Sequence, residues 1–390
     1  MPEIVPAVIV DVVRTPSGRG KPGGGLSGEH PADLLAVTLR ALVERTGIDP
    51  VLVDDVITGC VSQAGDQAVN IGRTALLAAG YPESVPATTI DRQCGSSQQA
   101  LHFAAQGVMT GAYDVVVACG IESMSRLPLG FAARDGAPFA PLARRYPDGL
   151  VGQGVSAEII AGRWKLDRSE LDEFAARSHQ LAAATAAAGG FDDELVQAGT
   201  LTADETVRAG TTAEGLGALR ASFRDDALGE RYPEIGWHIT PGNSSPLTDG
   251  ASAALVMSEH KARELGLTPR ARFGGFSVTG SDPLLMLTGV IPATQRVLSR
   301  AGLEVDDIDA FEVNEAFAPV PLVWAQELAV DLAKVNPRGG AIALGHPMGA
   351  SGTRILATLL NHLESIGGGR GLITMCEGGG MANATIIETV

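Results

Sequence analysis

Cysteine is scarce in this chain. Only Cys60, Cys94, Cys119 and Cys376 occur in 390 residues. They form no Cys-x-x-Cys pair, and no Cys/His spacing suits zinc, so neither a disulfide scaffold nor a metal site is expected. A reducing, cytoplasmic setting fits. Aromatic residues are also thin, at 4%. Basic residues are in deficit: 29 Lys and Arg stand against 45 Asp and Glu, a formal net charge of −16. Such a chain repels nucleic acid and anionic membrane surfaces, and an anionic ligand would need a local basic site. No apolar run reaches the ~18 residues of a membrane span. The opening "IVPAVIVDVVRTP" lacks a signal-peptide pattern and reads as a first strand.

What is present describes a folded globular protein. Hydrophobic residues make up 45% and charged residues 19%. The length suggests two or three domains. Glycine is abundant, with 49 residues, many of them in the last fifty positions. There, backbone is expected to approach backbone or ligand closely.

The chain repeats itself weakly. "VDDVITGCV" (53–61) resembles "VDDIDAFEV" (305–313), an offset of 305 − 53 = 252. "VVVACGIES" (115–123) resembles "LITMCEGGG" (372–380), and Cys119 to Cys376 is 376 − 119 = 257. "GASAALVMSE" (250–259) resembles "GMANATIIET" (380–389), but at 380 − 250 = 130. The drop of 257 − 130 = 127 implies two similar α/β halves, with extra sequence inserted into the first. The expected division is 1–119 with 250–271 for the first half, 120–249 for the insertion and 272–390 for the second half. Within the insertion, "RSELDEFAARSHQLAAATAAAGG" reads as an amphipathic helix closed by Gly-Gly.

The repeat also aligns two strand-turn-helix corners, one carrying Cys94 and the other His346. Sites in α/β folds collect where strands end and helices begin. A lone cysteine is usually structural. Cys94 sits in "DRQCGSSQQA", at a helix start, where the dipole is expected to lower its pKa and Gly-Ser-Ser can cap the helix. His346, in "GHPMGASG", is placed by the repeat opposite Cys94, and Cys with His is the arrangement of an activated thiolate. Cys376 enters "CEGGG", whose glycines bare N–H groups for an oxyanion hole. A second thiol suits proton transfer at carbon. Asn314 and Glu315 end a strand in "FEVNEAFAP" as caps, or, for Asn314, as the holder of a water or an oxyanion donor. Ser245 in "TPGNSSPLTDGASAA" and Arg220 in "GLGALRASF" read as surface residues or ligand contacts.

Taken together, "DRQCGSSQQA", "NEAFA", "GGAIALGHPMGASG", "CEGGG", "GNSSPLTDGA" and "VIVDVVRTPSGR" resemble the thiolase family, across essentially the whole chain and in its order. The resemblance implies an α/β thiolase fold: two βαβαβαββ halves in a five-layer α-β-α-β-α core with an inserted loop domain. It implies Cys94 as acylated nucleophile, His346 as its base and Cys376 as acid/base at the substrate α-carbon. Asn314 matches the holder of an oxyanion-hole water. Gly378 matches a backbone donor of the second hole, with the Cys94 N–H. Ser245 and Arg220 match contacts to CoA, and Gln153 lies on a loop lining the acyl and pantetheine path. Ala316 and Phe317 of "NEAFA" complete the expected substrate-binding set. The partners implied are acyl-CoA and CoA, the latter a substrate, with no cofactor and no metal. A homodimer or homotetramer is implied as well.

The departures bear on substrate. Leu150-Val151 stand where short-chain biosynthetic thiolases usually carry His-Met, and "TDGA" replaces "NDGA". Both favour a degradative 3-ketoacyl-CoA thiolase over a biosynthetic acetoacetyl-CoA thiolase. "DRQCGSSQQA" resembles actinobacterial thiolases, some of which handle steroid-derived acyl chains. Ala382 stands where the family's ending usually has Gly, with the Cys-x-Gly core intact. A non-catalytic acyl-CoA- or lipid-binding relative would have lost Cys94, His346 or Cys376. A ketosynthase would carry a second His motif, which this chain lacks.

Overall fold

A computed structural model describes residues 5–390. Residues 1–4, including the Ile4 that opens the first-strand stretch, lie outside the described residues. Strands β1 (Ala7–Arg14), β2 (Gly18–Arg19), β3 (Asp55–Gly59), β4 (Ala87–Ile90), β5 (Val115–Ser123) and β6 (Thr248–Ser258) belong to the first half. Strands β7 (Ala271–Gly280), β8 (Ala310–Val313), β9 (Arg370–Glu377) and β10 (Met381–Thr389) belong to the second. They run in the order β4-β3-β5-β6-β1-β7-β10-β9-β8, with β2 paired to β6 off this path. The halves join at β1 and β7 through two register pairs, Val8–Arg272 and Ile9–Ala271.

The register measures the repeat directly. Val56 of β3 pairs in parallel with Val117 of β5, and Ala310 of β8 with Gly371 of β9, so both separations are 61 (117 − 56 and 371 − 310). The two halves therefore pair their parallel strands at the same chain separation, as duplicated units would. Strand β5 also continues to Ser123, β6 opens at Thr248, and Ala271 opens β7.

The principal helices are α1 (Pro31–Thr46), α2 (Ile71–Ala78), α3 (Ser96–Met109), α4 (Gln153–Trp164), α5 (Arg168–Ala187), α6 (Val290–Ala301), α7 (Pro319–Leu328) and α8 (Ser351–Ser365). Three apolar clusters separate five layers. Leu35 and Leu39 of α1 and Ile71 of α2 pack on Val56, Val117 and Leu255 of the first sheet. Leu101 and Ala105 of α3 with Ile355 and Leu359 of α8 fill the space between the sheets, against Val116, Val256 and Ile373. Val297 of α6 and Trp324 of α7 cover the outer face of the second sheet. Strands β1 and β6 are buried along their whole length. Both faces of these strands are covered, which is why their sequences run nearly unbroken in apolar residues.

The insertion straps both halves. Helix α5 starts with a reciprocal capping box between Asp167 and Glu170, and the chain leaves it through Gly189 at φ 72°. Its stripe of Leu171, Phe174 and Ala175 joins the core of the second half. Glu194 and Asp204 meanwhile clamp Arg14 of β1, at 2.6 and 2.7 Å, with all three side chains nearly or fully buried.

Candidate active site

Two helix-start corners meet at the middle layer. In the first, Gln93 takes φ 47°, a left-handed conformation that non-glycine residues hold only under local constraint. The turn carries Cys94 into the interior, where it is 4% exposed. Gly95 is the N-cap of α3, and no side chain caps it. The serines, expected to cap the helix, do other work. Ser96 Oγ donates to the Gln93 carbonyl at 2.6 Å and accepts from Arg92 N–H at 2.9 Å, stapling the corner. Ser97 Oγ accepts from Thr353 N–H at 3.1 Å and ties α3 to α8. The second corner lies alongside. At Gly59, a Cβ would sit 2.3 Å from Ser97 N and 2.7 Å from the Gly349 carbonyl, so only glycine lets the two turns meet there.

Glu122 holds the corners together. Its buried carboxylate accepts from Gly349 N–H at 3.0 Å, from Val61 and Ser62 N–H at 3.0 and 3.1 Å, and from Gln67 Nε2 at 2.9 Å. His346 is fixed in turn. Its N–H donates to Thr248 Oγ1 at 3.0 Å, and its Nδ1 lies 2.6 Å from Ser351 Oγ. Ser351 Oγ donates to the Pro347 carbonyl at 3.0 Å, so it is left to accept from Nδ1–H. Asn314 Nδ2 stands 3.5 Å from Nε2. The network selects the Nδ1–H tautomer and leaves Nε2 as the acceptor, met only by Asn314 Nδ2 at the long limit of a hydrogen bond and able to take a proton. Ser351→Ala should lower kcat about tenfold, the worth of one hydrogen bond, with KM nearly unchanged. Steady-state kinetics check this, and an equal rise in KM would count against it.

The electrostatics reverse one expectation. The helix start was expected to lower the Cys94 pKa. Burial instead pushes the thiol up to about 12, with the Glu377 charge adding to it. The half-charge at a helix end is outweighed by desolvation of a thiolate in a closed site. Cys376 is pushed well up as well, by burial and then by Cys94. His346 is pushed down to about 3, by burial and then by Arg354. The resting pair is therefore a neutral thiol and a neutral imidazole, and charge forms only as the reaction calls for it.

Gln153, at the first turn of α4, reaches the Cys94 thiol with its side chain. A Cβ on Gly378 would lie 3.1 Å from Gln93 Oε1 and 3.3 Å from Gln153 Nε2, so Gly378 shares the same opening. Gln93, Gln153 and Gly378 line one cavity of about 950 Å3 with Leu150, Val151, Met286 and Met381. Ser245 N–H and Oγ both donate to the Ala316 carbonyl, at 3.1 and 3.2 Å. Phe317 stacks edge-on against Phe223 at 6.1 Å. Arg220 is exposed on the loop between Leu219 and Phe223 and is not drawn into the buried site.

Comparison with known proteins agrees with this architecture. Residues 7–260 match the model "Thiolase, N-terminal domain" and residues 267–389 match "Thiolase, C-terminal domain". The chain belongs to the thiolase family. It is 47% identical to the steroid 3-ketoacyl-CoA thiolase FadA6 of Mycobacterium tuberculosis, over 98% of this chain and 94% of that protein. It is 44% identical to a 3-ketoacyl-CoA thiolase of Cronobacter sakazakii, over 98% and 99%. Among solved structures, the acetyl-CoA acetyltransferase of Bacillus anthracis superposes with a TM-score of 0.88 at 37% identity, covering both chains fully. Human mitochondrial 3-ketoacyl-CoA thiolase in complex with CoA also gives 0.88, at 34% identity over 99% of this chain and 98% of that one.

Sequence reasoning missed several residues of this thiolase's site. Ser351 was visible only as a serine in "GASG", five positions after His346. Glu122 stands at the end of a repeat strand as an unremarked acid. Glu315, read as a strand-end cap, instead anchors the approach to His346. It accepts from Ser178 Oγ at 2.7 Å, Asn336 Nδ2 at 2.8 Å and Ile342 N–H at 3.1 Å.

Proposed function

We propose that this thiolase cleaves a 3-oxoacyl-CoA with CoA, giving acetyl-CoA and an acyl-CoA two carbons shorter. What supports this is that the Cys94 charge bears on the Cys376 thiol, that Glu122 ties the turn after His346 into the same middle layer, that His346 keeps Nε2 as an acceptor, and that Gln153, which reaches the Cys94 thiol, lines the cavity with Gly378. Cys94 attacks the 3-keto carbon while its proton passes to His346. The tetrahedral oxygen is held by the N–H groups of Cys94 and Gly378. The C2–C3 bond breaks, and its electron pair becomes the acetyl-CoA enolate. Protonated His346 faces that enolate together with a water held by Asn314, whose Oδ1 has no hydrogen-bond partner among the described residues. Cys376 supplies the proton at C2. Its thiolate then takes the proton of the incoming CoA thiol, whose sulfur displaces the acyl group from Cys94, and the departing Cys94 thiolate recovers its proton from His346. Each well-placed oxyanion donor contributes about 3 kcal/mol to such a step. The reverse sequence is a Claisen condensation. CoA enters as a substrate, and the scheme calls on no metal or redox cofactor.

The acyl group in this reading is bulkier than acetyl. What supports it is the cavity volume and its Leu150, Val151, Met286 and Met381 lining, apolar where a long or ring-bearing chain would lie. The relatives named for 3-ketoacyl-CoA and steroid 3-ketoacyl-CoA cleavage point the same way. Ser245, Ala316, Phe317 and the exposed Arg220 are the proposed contacts of the CoA moiety. A cytoplasmic homodimer or homotetramer is the proposed working form, and no described helix is long and apolar enough to cross a membrane. The test is a panel of 3-ketoacyl-CoA substrates assayed for CoA-dependent thiolysis. The kcat/KM for a long or ring-bearing acyl chain should exceed that for acetoacetyl-CoA by about tenfold or more, the worth of one or two buried methylenes. Turnover of the four-carbon substrate alone would favour the biosynthetic reading.

A further inference from the structure

Glu377 stands between Cys376 and Gly378 at the end of β9 and has no part in the scheme above. It is fully buried, and neither carboxyl oxygen has a hydrogen-bond partner among the described residues. Buried polar groups are rarely left unpaired without a functional reason. The carboxyl packs on the nucleophile corner itself, because a Cβ on Gly95 would lie 2.0 Å from Glu377 Oε1. Neighbouring residues of a strand face opposite sides. Cys376 accordingly joins the core of the second half, while Glu377 turns toward the start of α3. The titratable and charged groups facing it are Asp91 and Arg92 on the loop ahead of Cys94, and the thiols of Cys94 and Cys376. Arg92 does not pair with it; its guanidinium points to Met381 Sδ at 3.7 Å.

We propose that Glu377 is a positioning residue for the nucleophile, a carboxyl that must stay uncharged for Cys94 to ionise, because the pocket they share holds one negative charge and not two. The proposal rests on Cys94 as the nucleophile. Like charges a few ångströms apart in a dry site cannot both form cheaply, and the second ionisation is driven to higher pH. The titration direction agrees. Burial pushes the Glu377 carboxyl up to about 9, with Arg92 opposing and Asp91 adding. After burial, the Glu377 charge is the largest influence holding the Cys94 thiol up. At neutral pH the protonated carboxyl leaves the single charge to sulfur. Above its titration the carboxylate forms first, and the thiolate must form beside it.

Iodoacetamide alkylation of Cys94 in the full chain, read by peptide mass across pH, tests this. The wild-type rate should stop rising near pH ~9, whereas E377Q should keep rising, ending about tenfold faster than wild type near pH ~10. Superimposable curves, or a wild-type curve without a bend, would overturn the proposal. E377M, similar in length and uncharged at every pH, should also lose the bend; a retained bend would overturn the proposal equally. Alkylation reads thiol ionisation without turnover, so failure here leaves the thiolysis assignment standing. A failed substrate panel would likewise leave these curves intact.

Discussion

Cys94→Ala is expected to lower kcat/KM for thiolysis by about 10^4-fold or more, because no covalent path remains without the acyl carrier. Its melting temperature should move by only a few degrees, since the substitution removes one sulfur from a well-packed corner. The two readouts together separate loss of chemistry from loss of fold. Mass spectrometry supplies a third. Wild type incubated with acetyl-CoA should carry an acetyl group on the peptide containing Cys94, and the alanine variant should carry none. An acetyl group found on Cys376 instead would reverse the assigned roles of the two thiols.

His346→Ala should cost about 10^3-fold in kcat, within the range set by removal of a positioned general base. The loss should also appear in slower alkylation of Cys94 at neutral pH, where no neighbouring base remains to take its proton. Wild-type activity should show no acid limb near the ordinary histidine value of about 6.5, because burial holds His346 down to about 3. The sign for stability follows. The unfolded chain binds the proton first, so stability falls as pH drops from about 6.5 toward about 3. Removing His346 removes that penalty, and the variant should gain on wild type in acid melts. A wild-type profile losing activity near pH ~6.5, with that loss abolished by an independently folded His346→Gln, would show a titrating imidazole and defeat the argument.

Much of this was legible in the sequence. The two halves showed because strands such as β3 and β8 must both be apolar, short and followed by a turn, and that pattern survives divergence. The start of α3 showed because a polar lead-in, Cys94 and Gly-Ser-Ser stand directly ahead of a long helical pattern. The family was legible because its motifs are long and stand in order. Registers were not, since the pairing of Val56 with Val117 and of Ala310 with Gly371 is set by the ladder and not by the string. The sign of the Cys94 shift was also out of reach. A helix start can be read locally, but burial is a tertiary matter and the charge that adds to it sits on Glu377, far along the chain. Glu122 was hidden for the same reason: Gly349 and the turn at Val61 and Ser62 are brought to it by tertiary contact alone.

The clamp on Arg14 bears on how such a chain could have been assembled. Arg14 lies in the first strand, and both of its carboxylate partners come from the insertion. Stripping one partner from a buried ion pair costs about 3–5 kcal/mol, a large share of a domain's stability. A trimmed first half lacking residues 124–247 would leave an unanswered guanidinium in the strand that joins it to the second half. The insertion is thus no later ornament on a self-sufficient unit. Strand and insertion depend on each other, and a shorter ancestor would have needed a different residue at position 14.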